Sequence, residues 1–387
     1  MKPKLLLISA IAPFPATSGG ATRMYYTLKY LSQKYELYFL SFGDDITDDD
    51  ATNFLNQHCA FWKIYPLKKR SLLSGLPYFF SCWQSDRLER MIGKILDEHH
   101  IEKIRLEFTQ IAYLRRFLPR GIPVTFVAHD ISTISFRRRQ QEKIALNSPL
   151  TWLRAGMAHA NTIEITAFEK MWLPLFDEVV AVSAHDADKL RQLFALKNVR
   201  LEPNGIDHID FLPASTRSQL TCGYIGSPMH PPNREAINFT QQQILPQLTQ
   251  QNVDYHYYLA GCDHEPSVNP QITILGQLAQ THQFYSQIDF LLAPIFAGSG
   301  TRVKILESLS QAIPVITTPI GAEGLNLHSP FLQIIDARDR SQLAQEMSRQ
   351  LVSLKNNYQR LFADHENRQR LKKQLKPYLW QRSFAYS

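Results

Sequence analysis

The chain is poor in cysteine, has no C-x-x-C pair and contains no long apolar run. Its four cysteines, Cys59, Cys82, Cys222 and Cys262, are scattered, which argues against a zinc site or a disulfide framework and fits a reducing compartment. No apolar stretch approaches the roughly 20 residues that a membrane-spanning helix needs. The opening MKPKLLLISAIAPFP carries an apolar run over Leu5–Pro13 that enters Pro- and Gly-rich turns. A first β-strand is a better reading of it than a signal peptide. Internal repeats, low-complexity stretches, a D-x-D motif and a His/Cys cluster are also missing, so no metal is expected. A cytoplasmic protein is expected, attached at most to the inner face of the cell membrane.

What is present is ordinary globular material: 44% hydrophobic and 20% charged residues in a chain of 387. That length exceeds what one hydrophobic core usually organises, so two domains are expected. The net charge of +7 is uneven, with 27 Lys+Arg against 20 Asp+Glu in residues 1–200 and 15 of each in 201–387. An excess confined to the first half points to an anionic partner there, or to a solubilising face.

Apolar runs alternate with helical patterns along the whole chain, as in parallel sheets built from βα units. Strands are predicted at 4–11, 35–42, 61–66, 103–108, 124–130 and 178–183, with helices around 21–33, 86–98, 150–173 and 184–193. A linker is placed near 203–218, after VRLEPNG, and the same rhythm restarts at TCGYIG (221–226) and a helix over 233–248. Two facing doubly wound domains follow, over 1–203 and 204–365, with a basic helical tail over 366–387 suited to docking back onto the first domain. Ligands of such sheets bind at the carboxyl ends of the strands, so the cleft is the expected site.

The segment AGSGTRVKILESLSQAIPVITTPIGAEGL (297–325) contains the most chemistry. Gly298 and Gly300 let backbone amides approach a ligand, and the helix mouth behind them carries unsatisfied N–H groups and partial positive charge. That combination suits a phosphate. Glu307 lies about two turns along the helix, roughly 9–10 Å away by the rise per residue. A pyrophosphate at the mouth leaves an attached ribose near this carboxylate, which accepts from two neighbouring hydroxyls. The plainer alternative is a solvated Glu307 pairing with Lys304 or Arg302.

This segment resembles the donor site of glycosyltransferase family 4, retaining GT-B enzymes that use nucleotide sugars. The resemblance recurs in order at PFPATSGGATRMYYTLKYL (13–31), FDEVVAVSAHDADKL (176–190), EPNGID (202–207) and GYIGSPMHPPNREAINFTQQQILPQL (223–248). It implies an α/β GT-B fold of two Rossmann-like domains around a cleft, and a hexosyltransferase. The donor is a UDP- or GDP-sugar and the acceptor a glycan or lipid-linked glycan of envelope or extracellular polysaccharide synthesis. By the resemblance Glu307 binds ribose hydroxyls and His129 contacts the donor sugar. Gly19 and Gly20 resemble the first-domain loop that closes over the phosphates, Gly226 lies in the loop that opens the second domain, and Gly276 resembles the loop whose backbone reads the base.

Two departures stand out. Ser299 takes the place of the family's first glutamate, within a Gly-Ser-Gly-Thr-Arg turn that includes Thr301. Ser227 and Pro232 stand about where many members carry an Arg and a Lys, so Arg302 is the first candidate for the phosphate charge, with Arg23 and Lys304 as alternatives. Front-face displacement with retention is implied, with no metal and no cofactor beyond the donor itself. A non-catalytic nucleotide-sugar binder and a GT-B epimerase are the competing readings; a nucleic-acid binder does not account for the glycine–helix site. Aromatic and leucine residues over 70–87, with the basic block 136–143, suggest a patch for an anionic membrane surface, or else core helices and a solvated basic face.

Overall fold

Strong local signals start most elements of the first domain. A computed structural model describes residues 2–15, 18–141, 149–261, 269–278, 280–298 and 300–384. The first sheet is built from β1 (Lys4–Ser9), β2 (Glu36–Phe42), β3 (Phe61–Tyr65), β4 (Lys103–Glu107), β5 (Val124–Ala128), β6 (Glu178–Ala181) and β7 (Val199–Leu201). All pairings are parallel, in the order β3-β2-β1-β4-β5-β6-β7. Both faces are covered by helices, α1 (Gly19–Lys34), α2 (Asp49–His58), α3 (Asp86–Glu98), α4 (Ser132–Gln141), α5 (Pro149–Trp172) and α6 (Ala184–Phe194). Helix α3 illustrates the logic: Ser85 accepts from the Leu88 amide, and Leu88, Ile92 and Ile95 repeat at helical spacing on the buried face.

The second sheet contains β8 (Leu220–Ile225), β9 (Tyr255–Ala260), β10 (Ile272–Gly276), β11 (Phe290–Ala293), β12 (Val315–Thr317) and β13 (Leu332–Ile334), ordered β10-β9-β8-β11-β12-β13. Its helices are α7 (Pro231–Phe239), α8 (Leu245–Gln250), α9 (His282–Tyr285), α10 (Val303–Ser310), α11 (Arg340–Ala363), α12 (His365–Leu375) and α13 (Trp380–Ser383). Two Rossmann-like sheets result, each with its own apolar core.

The differences from the sequence-based expectation have physical causes. Strand β1 stops at Ser9, whose hydroxyl donates to the Ile11 carbonyl (2.7 Å) and accepts from the Ile11 amide (3.1 Å), turning the chain out of the ladder. Strand β5 ends at Ala128, which leaves His129 beyond the sheet's carboxyl edge. The helix expected over 233–248 is broken by a π-turn at Thr240–Ile244, just before Pro246, which has no N–H to give. Helix α2 was not expected at all, because only Ala51 and Leu55 of its polar sequence are buried.

The tail joins the two halves. Leu371, Leu375 and Tyr378 pack in the second core, whereas Trp380 and Phe384 pack in the first. Between them the backbone of Ile206 exchanges hydrogen bonds with Tyr378 (2.8 Å) and Trp380 (3.0 Å). Trp380 is 1% exposed and stacks on Tyr26 of α1 at 5.2 Å. Trp380→Ala is expected to remove about 3–5 kcal/mol of stability, read as an earlier denaturant midpoint for the first domain. A loss below about 1 kcal/mol would show that the indole adds no packing there.

Candidate functional site

The loop between β11 and α10 meets the first domain. Gly300 has φ 81°, and a β-carbon on it would lie 2.7 Å from the His129 carbonyl oxygen. The Thr301 hydroxyl donates to the Val182 carbonyl (3.3 Å), and its own carbonyl accepts from Asn204 Nδ2 (3.4 Å). Thr301 is therefore an interdomain contact. Gly298 has φ 94°, which also favours glycine. Ser299 lies outside the described residues.

Helix α10 starts with Arg302 as its N-cap residue and with no side-chain hydrogen bond to its first amides. Its mouth is thus electrically open to an anion. Arg302 folds back over the same loop and donates to the carbonyls of Gly300 and Ala297. Burial lowers its pKa, as does nearby Arg138.

Two residues on, Lys304 Nζ lies 3.1 Å from Asn233 Oδ1 and 3.9 Å from the centre of the Tyr224 ring. No ion pair to Lys304 occurs among the described residues. Burial and the Arg302 charge push its pKa down to about 7. A β-carbon on Gly226 would fall 2.7 Å from this ammonium and from Asn233 Nδ2, so glycine is what lets the loop after β8 lie against α10.

Glu307 is half-buried on the second turn of α10 and accepts from the Tyr285 hydroxyl at 3.1 Å. Burial raises its pKa to about 7, against the opposing pull of Tyr285 and Lys304. Expected as a solvated residue or a ribose acceptor, it is a desolvated carboxylate held in place by one phenol. Gly276 ends β10 with φ 68°, its carbonyl accepting from the Gly261 amide (2.9 Å).

Three first-domain expectations are corrected. Gly19 and Gly20 are the first residues of α1, capped by Ser18, and not a loop ahead of it. Gly20 also packs against Phe108, whose ring atoms would lie 3.1 Å from an added β-carbon. Arg23 is fully buried, with its guanidinium on Glu202 Oε1 (2.7 Å) and Asn204 Oδ1 (2.8 Å), so it has no charge to offer a phosphate. In the aromatic stretch 70–87, Phe79, Phe80 and Trp83 belong to the core. Among its large apolar residues, Leu72 (82% exposed) and Leu73 (96%) face out.

His129 is held from two sides. Its Nε2 is 2.6 Å from Glu107 Oε2, and its ring stacks on Phe108 with centroids 3.5 Å apart. Sequence reasoning missed Glu107, whose only local signal is an acid inside the apolar strand KIRLEF. It also missed Glu323, in the loop after β12. Glu323 takes a two-pronged contact from Arg138 (2.6 Å each) and one from His185 (2.9 Å), and Arg138 also donates to the Gly298 carbonyl. Burial works to raise the Glu323 pKa, yet Arg138, His185 and Arg302 hold it below the usual carboxylate value. A cavity of about 500 Å³ borders the loop at Ala297 and is lined also by Pro232, Glu235 and Arg340 among others.

Gly300→Ala should force the loop off the His129 carbonyl at a cost of about 1–3 kcal/mol. The expected readout is a larger radius of gyration in small-angle scattering together with a lower melting temperature. If neither moves, the interdomain approach does not depend on this glycine.

Residues 219–352 match the family model described as glycosyl transferases group 1. A search of curated proteins gives no match. Among solved structures, the HepE protein of Anabaena in complex with UDP and glucose is 13% identical, covering 99% of this chain and 98% of its own, at a TM-score of 0.66. Sucrose-phosphate synthase from Thermosynechococcus elongatus is 14% identical over 98% of this chain and 96% of its own, at 0.64. WaaG, a glycosyltransferase involved in lipopolysaccharide biosynthesis, is 12% identical over 97% and 99%, at 0.59. At these identities the structural likeness is one of fold. The chain thus has the GT-B fold of these structures, two Rossmann-like domains, and its second domain is similar to the group 1 glycosyl transferases over residues 219–352.

Proposed function

We propose that the protein transfers a hexose, with retention, from a UDP- or GDP-sugar to a glycan or lipid-linked acceptor. The carrying observation is the open mouth of α10. Uncapped amides, two glycines, Arg302 and the Lys304 ammonium, which has no ion-pair partner among the described residues, all fall within residues 298–304. A diphosphate bound there offers the desolvated Arg302 and Lys304 further negative charge. Both desolvated cations gain from it, and an anion at the mouth restores the Lys304 proton.

In this reading Glu307 accepts from the ribose hydroxyls, for which it has to be ionised; each hydroxyl donated to it favours that state. The acceptor hydroxyl attacks on the face from which the diphosphate leaves, and a leaving phosphate oxygen takes its proton. Catalysis is then charge stabilisation of the leaving group by amides, helix dipole, Arg302 and Lys304, without a metal in the scheme. UDP complexes of fold relatives support a nucleotide donor: HepE was solved with UDP-glucose, and a pneumococcal O-GlcNAc transferase with UDP and GlcNAc.

Calorimetry with UDP-glucose and a panel of UDP- and GDP-sugars tests the donor site. Glu307→Ala is expected to weaken binding of the preferred donor by about 10–100-fold, the worth of hydrogen bonds to a charged group. Unchanged affinity would remove Glu307 from the site. If no member of the panel is hydrolysed or transferred although one of them binds, the non-catalytic reading prevails.

We further propose that the loop before the 3-10 turn at Ser81 inserts into an anionic bilayer. Leu72 and Leu73 project almost fully exposed beside Lys68, Lys69 and Arg70, which are exposed too. Apolar tips beside three cations complement acyl chains under acidic headgroups. Among the described residues no helix is long and apolar enough to cross a membrane. The Leu72→Ser/Leu73→Ser double variant should lose co-sedimentation with phosphatidylglycerol vesicles while keeping its melting temperature. Equal sedimentation of variant and parent would assign binding elsewhere or exclude it.

A further inference from the structure

The sugar-contact role that the family resemblance implies for His129 leaves open what holds the imidazole in place. Glu107 ends β4, and β4 pairs with β5 in a register that sets Glu107 beside Val127. His129, two residues further on, falls on the same side of the sheet's edge as Val127. The Glu107 carboxylate is fully buried; Oε2 meets His129 Nε2 and Oε1 accepts from Arg105 Nε, each at 2.6 Å. The next residue, Phe108, has φ 79°, a strained setting for a phenylalanine that lays its ring flat on the imidazole. One acid and one ring on consecutive residues therefore fix both the edge and the face of His129.

The Glu107–Arg105 pair continues into a closed charge set. Arg105 donates to both Glu202 oxygens (2.6 and 3.1 Å), and Arg23 donates to Glu202 Oε1 (2.7 Å). Two buried arginines thus balance two buried glutamates before the histidine is counted; Arg200, 25% exposed, touches Glu202 from the edge (3.3 Å). A proton on His129 would leave an uncompensated buried charge, which is costly. This separates the arrangement from an acid-assisted general base, where the carboxylate is free to stabilise an imidazolium.

We propose that Glu107 is a positioning residue which fixes His129 as the neutral imidazole protonated on Nε2, so that Nδ1 is the ring's acceptor atom for a donor-sugar hydroxyl. The proposal rests on the transferase reading for its last clause only. The groups that face the imidazole agree with it: Glu107 and Arg105 on β4 and Arg23 on α1, with burial, leave its pKa at about 4.

The full-length protein labelled with ¹⁵N-histidine provides a test that needs no activity. In long-range ¹H–¹⁵N spectra, with His129 assigned by its loss in His129→Gln, the expected pattern is a protonated Nε2 and a bare Nδ1, unchanged between about pH 5.5 and 8. A protonated Nδ1, or titration inside that range, overturns the proposal. In kinetics, Glu107→Gln keeps the volume but can donate as well as accept, freeing the ring to take either tautomer. It is expected to lower kcat on the order of 10–100-fold while KM for the nucleotide sugar stays within about twofold. Equal loss in binding and turnover would reduce Glu107 to a structural role and overturn the assignment. If the spectra hold but His129→Gln transfers at the parental rate, the sugar-contact reading of His129 fails and the tautomer assignment survives.

Discussion

Glu202 is the point on which the two domains turn. It is fully buried at the exit of the first sheet, and Arg23, Arg105 and Arg200 all reach it. Its neighbours Pro203, Asn204 and Gly205 begin the passage to the second domain. Taking four charges out of water is expensive, and an apolar filling would often be as stable. What the ions provide is direction: each arginine has one place in which its hydrogen bonds close, so the linker leaves the sheet at a fixed angle. Asn204 extends that order outward, accepting from Arg23 on one side and donating to the Thr301 carbonyl on the other.

The loop between β11 and α10 is therefore placed by the first domain as well as by its own sheet. Gly300 lies against the His129 carbonyl, and Gly324 (φ 81°) lies where a β-carbon would be 2.9 Å from Ser183 Cβ. Both contacts bring second-domain backbone to residues just past the carboxyl ends of β5 and β6. The mouth of α10 is thereby held against the backbone of the first domain without a long side chain having to span the cleft. Short reach matters because charge stabilisation falls steeply when a donor is displaced by an ångström.

Much of this was legible in the sequence, because the informative features are local. Continuous apolar runs gave the buried parallel strands, and Gly-x-Gly before TRVKILES gave the loop and the helix mouth. What was not legible is what forms at long range. Arg23 and Glu202 are 179 positions apart, and Arg138 and Glu323 are 185 apart. Nothing in the local pattern separates an arginine that will meet a buried acid from one that will meet a phosphate. That is why Arg23 read as a phosphate candidate and Glu323 did not register. The acid in KIRLEF was a fair signal, since a charge inside a strand covered on both faces has to be paired. Helix α2 was lost for the opposite reason, its polar surface outweighing two buried residues.

The first domain's positive charge can now be divided. Arg23, Arg105 and Arg200 are consumed by Glu107, Glu178 and Glu202, and Arg138 by Glu323 across the cleft. These arginines act as internal ties and contribute little to the outer field. The excess that remains for solvent is carried by exposed side chains such as Lys68, Lys69 and Arg70 beside the leucine tip. Arg138 differs from the other three in having a partner that belongs to the other domain. With two short contacts and side chains only 22% and 13% exposed, the pair is weakly screened, so it ties the loop after β12 firmly to the first domain.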